Sequence, residues 1–194
     1  MNILNVGYAS TNYYLLGPDR ARLLVDIGWS NTLPQFLSVL KRHDLSLSNI
    51  RYLLATHYHP DHAGLAQELK AQGVSLIVME SQTAAIPLLK KHMKPINRYL
   101  DIQLDDNIPL TFQASRSFLA QIGIAGEIIP TSGHSDDSVS LVLDEGIAFT
   151  GDLTPPIFLD ETQTVAAASW DKLRAHHVKT IYPGHGPSGT LNPT

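Results

Sequence analysis

Four side chains of the types that bind metal ions fall within six residues of one another. His57 and His59 come first, and Asp61 and His62 follow. Imidazole and carboxylate groups are common ligands of zinc and of its neighbours in the first transition row. Burying four such groups without a cation would leave several polar atoms and a carboxylate unpaired, which is energetically unfavourable. This stretch is therefore predicted to bind metal.

The spacing favours two ligand pairs over one closed site. The apolar run over residues 50–55 is predicted to be a strand, and side chains alternate along a strand, so His57 and His59 should point the same way. Asp61 and His62 would lie where the chain turns into the next helix. Two pairs are one too many for a single ion, which suggests two metals.

Three further ligand-type side chains lie just after a predicted strand and beside a glycine. They are His134, Asp152 and His185, which follow strands predicted over residues 127–130, 147–150 and 180–182. Glycine allows the backbone to approach a ligand closely. Asp26 likewise lies where an apolar strand ends. A single Gly-His pair is more often a turn, but the recurrence at four strand ends favours one shared site.

The elements that would position these residues follow the order strands then helix, twice. Further strands are predicted over residues 3–6, 12–16, 21–27, 74–78, 99–103, 108–112 and 138–143, with a hairpin turn over residues 17–20. Helices are predicted from a cap at Asn31 or Thr32 to about His43, and over residues 63–71, 81–92 and 164–177, whereas residues 114–126 give no clear pattern. The order favours an α/β fold, a two-sheet sandwich with helices outside, in one domain over residues 1–194.

Composition narrows the class of protein. The chain has 194 residues, 43% of them hydrophobic, a net charge of −4 and no cysteine, so a sizeable core is expected and disulfides are excluded. The only basic run, over residues 90–94, is interpreted as a solvated helix end. Residues 1–6 lack the pattern of a secretory signal and no apolar run is long enough to cross a bilayer, so neither a signal nor a membrane span is expected. We expect a cytoplasmic protein with a small-molecule substrate and neither nucleic acid nor membrane as partner; a homodimer is left open.

Taken in order, these residues resemble the motif set of the metallo-β-lactamase-fold hydrolase superfamily. The pattern is His57-x-His59-x-Asp61-His62, then His134, Asp152 and His185, with Asp26 at the position of the first motif. The resemblance covers nearly the whole chain and implies a four-layer αββα sandwich with two mixed sheets flanked by helices. It points to the glyoxalase II-like and lactonase-like branches. The C-terminal domain of glyoxalase II, which binds glutathione, is not expected in this chain.

The resemblance also implies a role for each residue. His57, His59 and His134 would bind the first ion, and Asp61, His62 and His185 the second, with Asp152 bridging both. Asp26 would accept a hydrogen bond from a ligand histidine and fix its orientation. Asp61 and Asp152 would set the position of the attacking hydroxide. Two zinc ions are favoured, and iron or manganese fits the same nitrogen and oxygen donors.

The function implied is hydrolysis of a small ester-like substrate, a thioester, a lactone or a phosphodiester, by a hydroxide that bridges the two ions. The alternatives are an oxidoreductase similar to persulfide dioxygenases, with one iron bound by His57, His134 and Asp152, and β-lactam hydrolysis as a minor activity. A scaffold protein with an inactive site is disfavoured because the ligand set is complete.

Substrate specificity should come from residues 63–133 and from the loop after Asp152. Ile157 and Phe158 in that loop would either form an apolar pocket near the metals or pack in the core. Asp136 and Asp137 are interpreted as solvated or capping residues rather than as substrate contacts. Four further histidines are interpreted as helix-surface residues: His43, His92, His176 and His177.

Overall fold

The computed structural model describes residues 1–19 and 22–191, and its strands form two sheets. The first sheet consists, in order across it, of β1 (Ile3–Asn5), β2 (Tyr14–Leu16), β3 (Arg22–Val25), β4 (Ile50–Leu54), β5 (Ser75–Met79) and β6 (Ile108–Leu110). The second consists of β7 (Gly126–Pro130), β8 (Val139–Leu143), β9 (Ile147–Gly151), β10 (Thr180–Pro183) and β11 (Gly189–Thr190), again as neighbours in chain order.

Five α-helices accompany the sheets in the described part of the chain. They are α1 (Leu33–Arg42), α2 (Pro60–Ala63), α3 (Ala66–Ala71), α4 (Phe112–Gln121) and α5 (Thr164–Ala175). Short 3₁₀ helices cover Leu47–Asn49, Ile86–His92, Pro95–Asn97 and Pro156–Phe158. Among the described residues, no helix combines the length and the apolar character that crossing a bilayer requires.

Alternation along the strands sends apolar side chains to both faces of each sheet. In β4, Leu53 packs in the core beneath α1 and α3, whereas Leu54 packs between the two sheets. In β8, Leu141 joins the core between the sheets, and Val142 packs with Trp170 of α5. The layers therefore run helix, sheet, sheet, helix. The predicted fold class is confirmed.

Strand direction explains why the ligand-type residues share one edge of this sandwich. β3 and β4 are parallel in the first sheet, and β9 and β10 are parallel in the second. β7 and β9 each pair antiparallel with β8, so they also run in the same direction. Near this edge the N–H of Val139 donates to the carbonyl of Thr56 at 2.9 Å and joins the sheets. The predicted strand-end positions thus meet at one place.

Two helix predictions were only partly right. The helix expected from Ala63 begins earlier, at Pro60, and breaks before α3. The helix expected over residues 81–92 is regular only in its second half, as the 3₁₀ helix Ile86–His92. Pro87 lies in the first turn of that helix and has no N–H to donate to a carbonyl in the preceding turn, so the helix does not extend toward residue 81.

Two further segments differ from the sequence-based expectation. Residues 99–103 do not form the predicted strand. The segment that gave no clear pattern, residues 114–126, contains most of α4. Thr111 is the N-cap of this helix, and its hydroxyl oxygen accepts from the N–H of Ala114 at 3.2 Å. Arg20 and Ala21, the end of the predicted hairpin turn and the start of the next predicted strand, lie outside the described residues.

Candidate metal centre

Three histidines form the first group of ligand-type side chains. His57 is buried, and its Nδ1 lies 3.2 Å from the hydroxyl of Thr56. His59 and His134 approach each other, with 3.0 Å between His59 Nδ1 and His134 Nε2. The three imidazoles bring one nitrogen each within 4.8 Å of one another. Such a cluster can bind one metal ion. We call it the histidine group.

A carboxylate and two histidines form a second group, the mixed group. Asp61 and His62 lie in α2, and His185 follows β10. Asp61 Oδ2 is 3.2 Å from His185 Nε2 and 3.6 Å from His62 Nε2. One ligand-type atom from each residue again lies within 4.8 Å of the others, so this group can bind an ion as well.

Asp152 lies between the two groups. Its Oδ1 is 3.2 Å from His62 Nε2, and its Oδ2 is 3.4 Å from His185 Nε2, both in the mixed group. Oδ2 is also 3.8 Å from His134 Nε2 of the histidine group. Asp152 further forms an overlapping ligand-type set with His57 and His62. A carboxylate in this position has oxygens within reach of both groups.

Asp26 supports the centre from beneath. Its backbone is in the left-handed region, with a φ of 64°, which Asp tolerates better than most residues. Its Oδ1 accepts from the N–H of Thr56 at 2.6 Å, and its Oδ2 accepts from the Thr56 hydroxyl at 2.9 Å. Asp26 Oδ2 also lies 2.9 Å from His62 Nδ1. Because the carboxylate accepts, His62 Nδ1 donates, and its Nε2 is left to face Asp152.

The same contacts extend from Asp26 to the histidine group. The hydroxyl of Thr56 gives its hydrogen to Asp26, so its oxygen is free to accept from His57 Nδ1. His57 then presents Nε2 to the centre. One buried carboxylate therefore orients a histidine in each group, directly in one case and through Thr56 in the other.

Three buried polar atoms test whether the centre suits metal ions. His57 Nε2, His62 Nε2 and Asp152 Oδ1 have no hydrogen-bond partner among the described residues. His62 Nε2 and Asp152 Oδ1 are close, but their geometry is not that of a hydrogen bond. Buried polar atoms without partners are energetically unfavourable, and a cation would satisfy all three. The donor set fits metal ions.

The electrostatics of the centre agree with this fit. Burial and the neighbouring imidazoles lower the pKa of His57, and burial and His134 lower that of His59, so both favour the neutral form that binds metals. Burial also lowers the pKa of His62, but Asp26 and Asp152 outweigh it and raise the value to about 10. The carboxylates that attract this proton would equally attract a cation.

Two glycines beside the centre are required by close packing. A Cβ on Gly184 would lie 2.5 Å from Asp152 Oδ1 and 2.6 Å from His62 Cε1. A Cβ on Gly151 would lie 2.4 Å from the Thr56 hydroxyl, and its φ of 53° is unfavourable for most other residues. The glycines that precede two of the ligand-type residues therefore allow the strand ends to come together.

Comparison with known proteins identifies the family. The sequence profile described as "Metallo-beta-lactamase superfamily" matches residues 6–185. This chain belongs to that superfamily. The fold agrees: a metallo-beta-lactamase family protein from Thermus thermophilus superimposes with a TM-score of 0.72 at 19% identity, covering 97% of this chain and 73% of that one. The predicted family resemblance is confirmed.

Curated relatives in the superfamily are longer than this chain. A Beta-lactamase-like protein 2 homolog from Caenorhabditis elegans is 33% identical over 91% of this chain and 56% of its own length. Thioesterase pkgB from Emericella nidulans is 29% identical over 91% of this chain and 46% of its own length. The chain thus spans about half the length of these relatives.

A segment that the sequence analysis did not associate with the centre, residues 10–12, contacts the mixed group. We call it the N-terminal loop. His185 Nδ1 donates to the carbonyl of Ser10 at 2.8 Å, which leaves Nε2 for the centre. The buried Thr11 donates its hydroxyl to Asp61 Oδ2 at 3.2 Å. Two of the three ligand-type residues of the mixed group are therefore oriented by this loop.

Asn12 fixes the loop to the segment that carries His185. Its backbone N–H donates to the carbonyl of Gly184 at 2.7 Å. Its side chain Nδ2 donates to the carbonyls of Pro183 and Gly186 at 3.0 and 2.8 Å. A polar residue at the start of an apolar strand was the only sequence signal for this role. Its partners lie more than 170 positions away, so spacing could not reveal them.

The structure separates the remaining candidates. Asp137 is buried and accepts from the N–H of Tyr58 at 2.7 Å, whereas Asp136 is exposed. Ile157 and Phe158 are 83% and 69% exposed, so the core-packing alternative is wrong for both. Ile157 lines a cavity with Leu153 and Pro183 in which none of the seven ligand-type residues takes part, and its role in a pocket near the metals stays a prediction.

One histidine outside the motif set lies beside the centre. His92 is on the surface, as predicted, but its ring is 5.6 Å from the ring of His59 between centroids. The other three lie near helix ends: His43 follows α1, and His176 and His177 follow α5. No local sequence pattern distinguishes His92 from these three histidines, because its position next to His59 depends on the path that residues 80–92 take through the fold.

Proposed function

We propose that this chain is a metal-dependent hydrolase that cleaves a small ester-like substrate with two bound ions. The observation that carries the proposal is the position of Asp152, whose carboxylate oxygens face nitrogens of both groups at 3.2 to 3.8 Å. A single-ion site would need only one of the two groups. Convergence of both on a shared carboxylate is the arrangement expected of a two-ion site.

In this proposal His57, His59 and His134 hold one ion, and Asp61, His62 and His185 hold the other, with Asp152 shared. Two ions bound here would activate water at neutral pH and stabilise the negative charge that develops on the substrate. Zinc is the first candidate for a set of nitrogen and oxygen donors, and iron or manganese the next.

The chain's own residues have defined tasks. Asp61 and Asp152 place carboxylate oxygens beside the histidine nitrogens, where they can orient the attacking water and accept hydrogen bonds from it. Asp26 holds His62 Nδ1 protonated, which fixes its Nε2 as the ligand atom. The Ser10 carbonyl does the same for His185.

Thioesters are the first substrate class to test. The support is the relative named as a thioesterase, which is similar over 91% of this chain. Lactones and phosphodiesters share the need for an activated water and a stabilised anionic intermediate, so they are the other candidates.

The test combines metal analysis with a substrate panel. Protein purified without added metal is analysed for its ions and then assayed with thioesters, lactones, phosphodiesters and a chromogenic β-lactam, each with zinc, manganese or iron. We expect about two ions per chain. Thioester hydrolysis should be lost on chelation and restored by the ion. One iron per chain with oxygen uptake would instead establish an oxidoreductase.

Histidine variants provide the matched control. His59→Ala should abolish hydrolysis and lower the metal content, whereas His43→Ala, an exposed histidine at the end of α1, should change neither. Full activity in His59→Ala would refute the assignment of the site.

A further inference from the structure

A groove of about 330 Å³ begins at His59. One wall is the segment leading into and forming the 3₁₀ helix Ile86–His92, and it contributes Ala84, Ala85 and Leu88. The loop after β7 contributes Asp136 to the lining. His59 therefore belongs both to the histidine group and to the lining of this groove, so the groove borders the candidate metal centre.

The wall provided by residues 84–88 is apolar. Leu88 is 46% exposed, although a leucine of this size would gain by burial. A single exposed leucine is common on protein surfaces, but Leu88 lines a groove that borders the candidate metal centre, where an apolar part of a ligand can cover it. The rest of the lining is polar and contains no Lys or Arg; it consists of Tyr58, His59, Ser81, His92, Ser135, Asp136 and Asp137. The apolar wall favours an uncharged apolar group, and the exposed carboxylate of Asp136 disfavours an anionic one.

We propose that this groove binds the acyl chain of a thioester substrate, an inference that rests on the proposed function. The chain attached to the reacting carbonyl must leave the centre beside a ligand-type residue, and His59 is the residue from which the groove extends. The thiol leaving group would lie elsewhere. At about 30 Å³ for each water-sized group, the groove accommodates about ten non-hydrogen atoms.

The test is a chain-length series on the zinc-loaded full chain. Acetyl, butanoyl, hexanoyl and octanoyl thioesters of one uncharged thiol are compared by kcat/KM. Each buried methylene should raise kcat/KM about fourfold, the factor expected for transfer of one methylene out of water. The rise should stop once the groove is full.

Two variants fill the groove without touching the centre. Leu88→Trp and Ala84→Phe should flatten the chain-length series, because the larger side chains occupy the space that the longer acyl chains would fill. Leu37→Trp on α1 is the matched control, because Leu37 is similarly exposed, at 41%, and does not line the groove. That variant should keep the full series.

The outcomes separate this inference from the proposed function. If thioesters are cleaved but Leu88→Trp lowers kcat/KM equally for every chain length, the groove assignment is wrong. The assignment is also wrong if sensitivity to Leu88→Trp follows the length of the thiol rather than of the acyl group.

If no thioester is cleaved, the proposed function fails, and binding then decides about the groove. The probes are acetate and octanoate, titrated calorimetrically into the zinc-loaded wild type and Leu88→Trp. If octanoate binds more tightly than acetate to the wild type but not to Leu88→Trp, the groove assignment is supported. If the two proteins bind octanoate with equal affinity, the assignment is refuted.

Discussion

The two ligand groups differ in what holds their side chains in place. In the mixed group each residue has an outside partner: Thr11 for Asp61, Asp26 for His62 and the Ser10 carbonyl for His185. In the histidine group, only His57 has one, the hydroxyl of Thr56. The side chains of His59 and His134 hydrogen-bond only each other among the described residues.

This difference indicates that the two groups have different roles. A group whose ligand atoms are fixed by hydrogen bonds loses less conformational freedom when it binds an ion. A group with fewer constraints can adjust as substrate enters. The groove beside His59 opens on the less constrained group. We therefore expect the mixed group to bind its ion more tightly, and the histidine group to be the side that accommodates the substrate.

The strongest test of the pairing removes the residue that the groups share. Asp152→Ala should lower the affinity of both groups for their ions, because the carboxylate oxygens of Asp152 lie within 3.8 Å of nitrogens in both groups. Loss of a residue that only orients a ligand reduces metal affinity or activity by about 10- to 100-fold, so loss of a shared ligand should exceed about 100-fold in kcat/KM. Metal content and kcat/KM are the measurements.

Asp171→Ala is the control for this variant. Asp171 is an exposed carboxylate whose partner is Arg174, one turn along α5, so its removal should affect neither ions nor turnover. If Asp152→Ala kept two ions with unchanged affinity, the two groups would not share this carboxylate.

The ligand-type residues were predictable because their signal is local. His134, Asp152 and His185 each follow a predicted strand, and strands that run in the same direction end at one edge of a sheet, so these three residues could be placed together before any contact was known. The structure does bring them together, while their binding of metal stays a prediction. The family and fold were also predictable, since the motif order covers nearly the whole chain.

What could not be predicted depends on contacts between distant segments. Asn12 and Gly186 are 174 positions apart, and no spacing rule links them. The helix α4 was missed because Ser115 and Leu119 are its only buried residues among those described, which is too weak a stripe for periodicity. Ile102 is buried, yet the expected strand around it is absent, because burial alone does not require strand pairing.

Asp26 should support the two groups unequally, because it contacts His62 directly and His57 only through Thr56. Asp26→Asn keeps the shape and tolerates the same left-handed backbone, but removes the charge and one acceptor oxygen. We expect the ion of the mixed group to bind about 10- to 100-fold more weakly, because His62 is held directly. The ion of the histidine group should be affected less, because His57 is reached only through Thr56.

Competition titration with a chelator measures both affinities. Thr56→Val is the companion variant, since it removes the hydroxyl between Asp26 and His57 and leaves the contact of Asp26 with His62. Thr56→Val should lower the ion affinity of the histidine group only. Equal losses in both groups for Asp26→Asn would show that the direct and indirect contacts are equivalent.

The smallest effect is expected from Asn12, which forms no hydrogen bond with a ligand-type side chain. Asn12→Ala removes its side-chain hydrogen bonds to the carbonyls of Pro183 and Gly186 and the one that it accepts from Asn5 Nδ2. At about 0.5–1.5 kcal/mol for each of the three bonds, the free energy of unfolding should fall by about 1.5–4.5 kcal/mol. Because His185 lies between those carbonyls, the mixed group should lose affinity for its ion by less than about tenfold, below the range for direct partners.

Asn107→Ala is matched to this change. Asn107 is also partly buried, donates to the carbonyls of Gln103 and Leu104 and accepts one hydrogen bond from Lys70, in another part of the protein. It should lower stability without changing ion affinity. A His185→Ala background then decides the route: the effect of Asn12→Ala on affinity should disappear there, because the residue that transmits it is gone. An undiminished effect would mean that the N-terminal loop acts on the mixed group through Asp61, and Thr11 rather than Asn12 would be its principal contact.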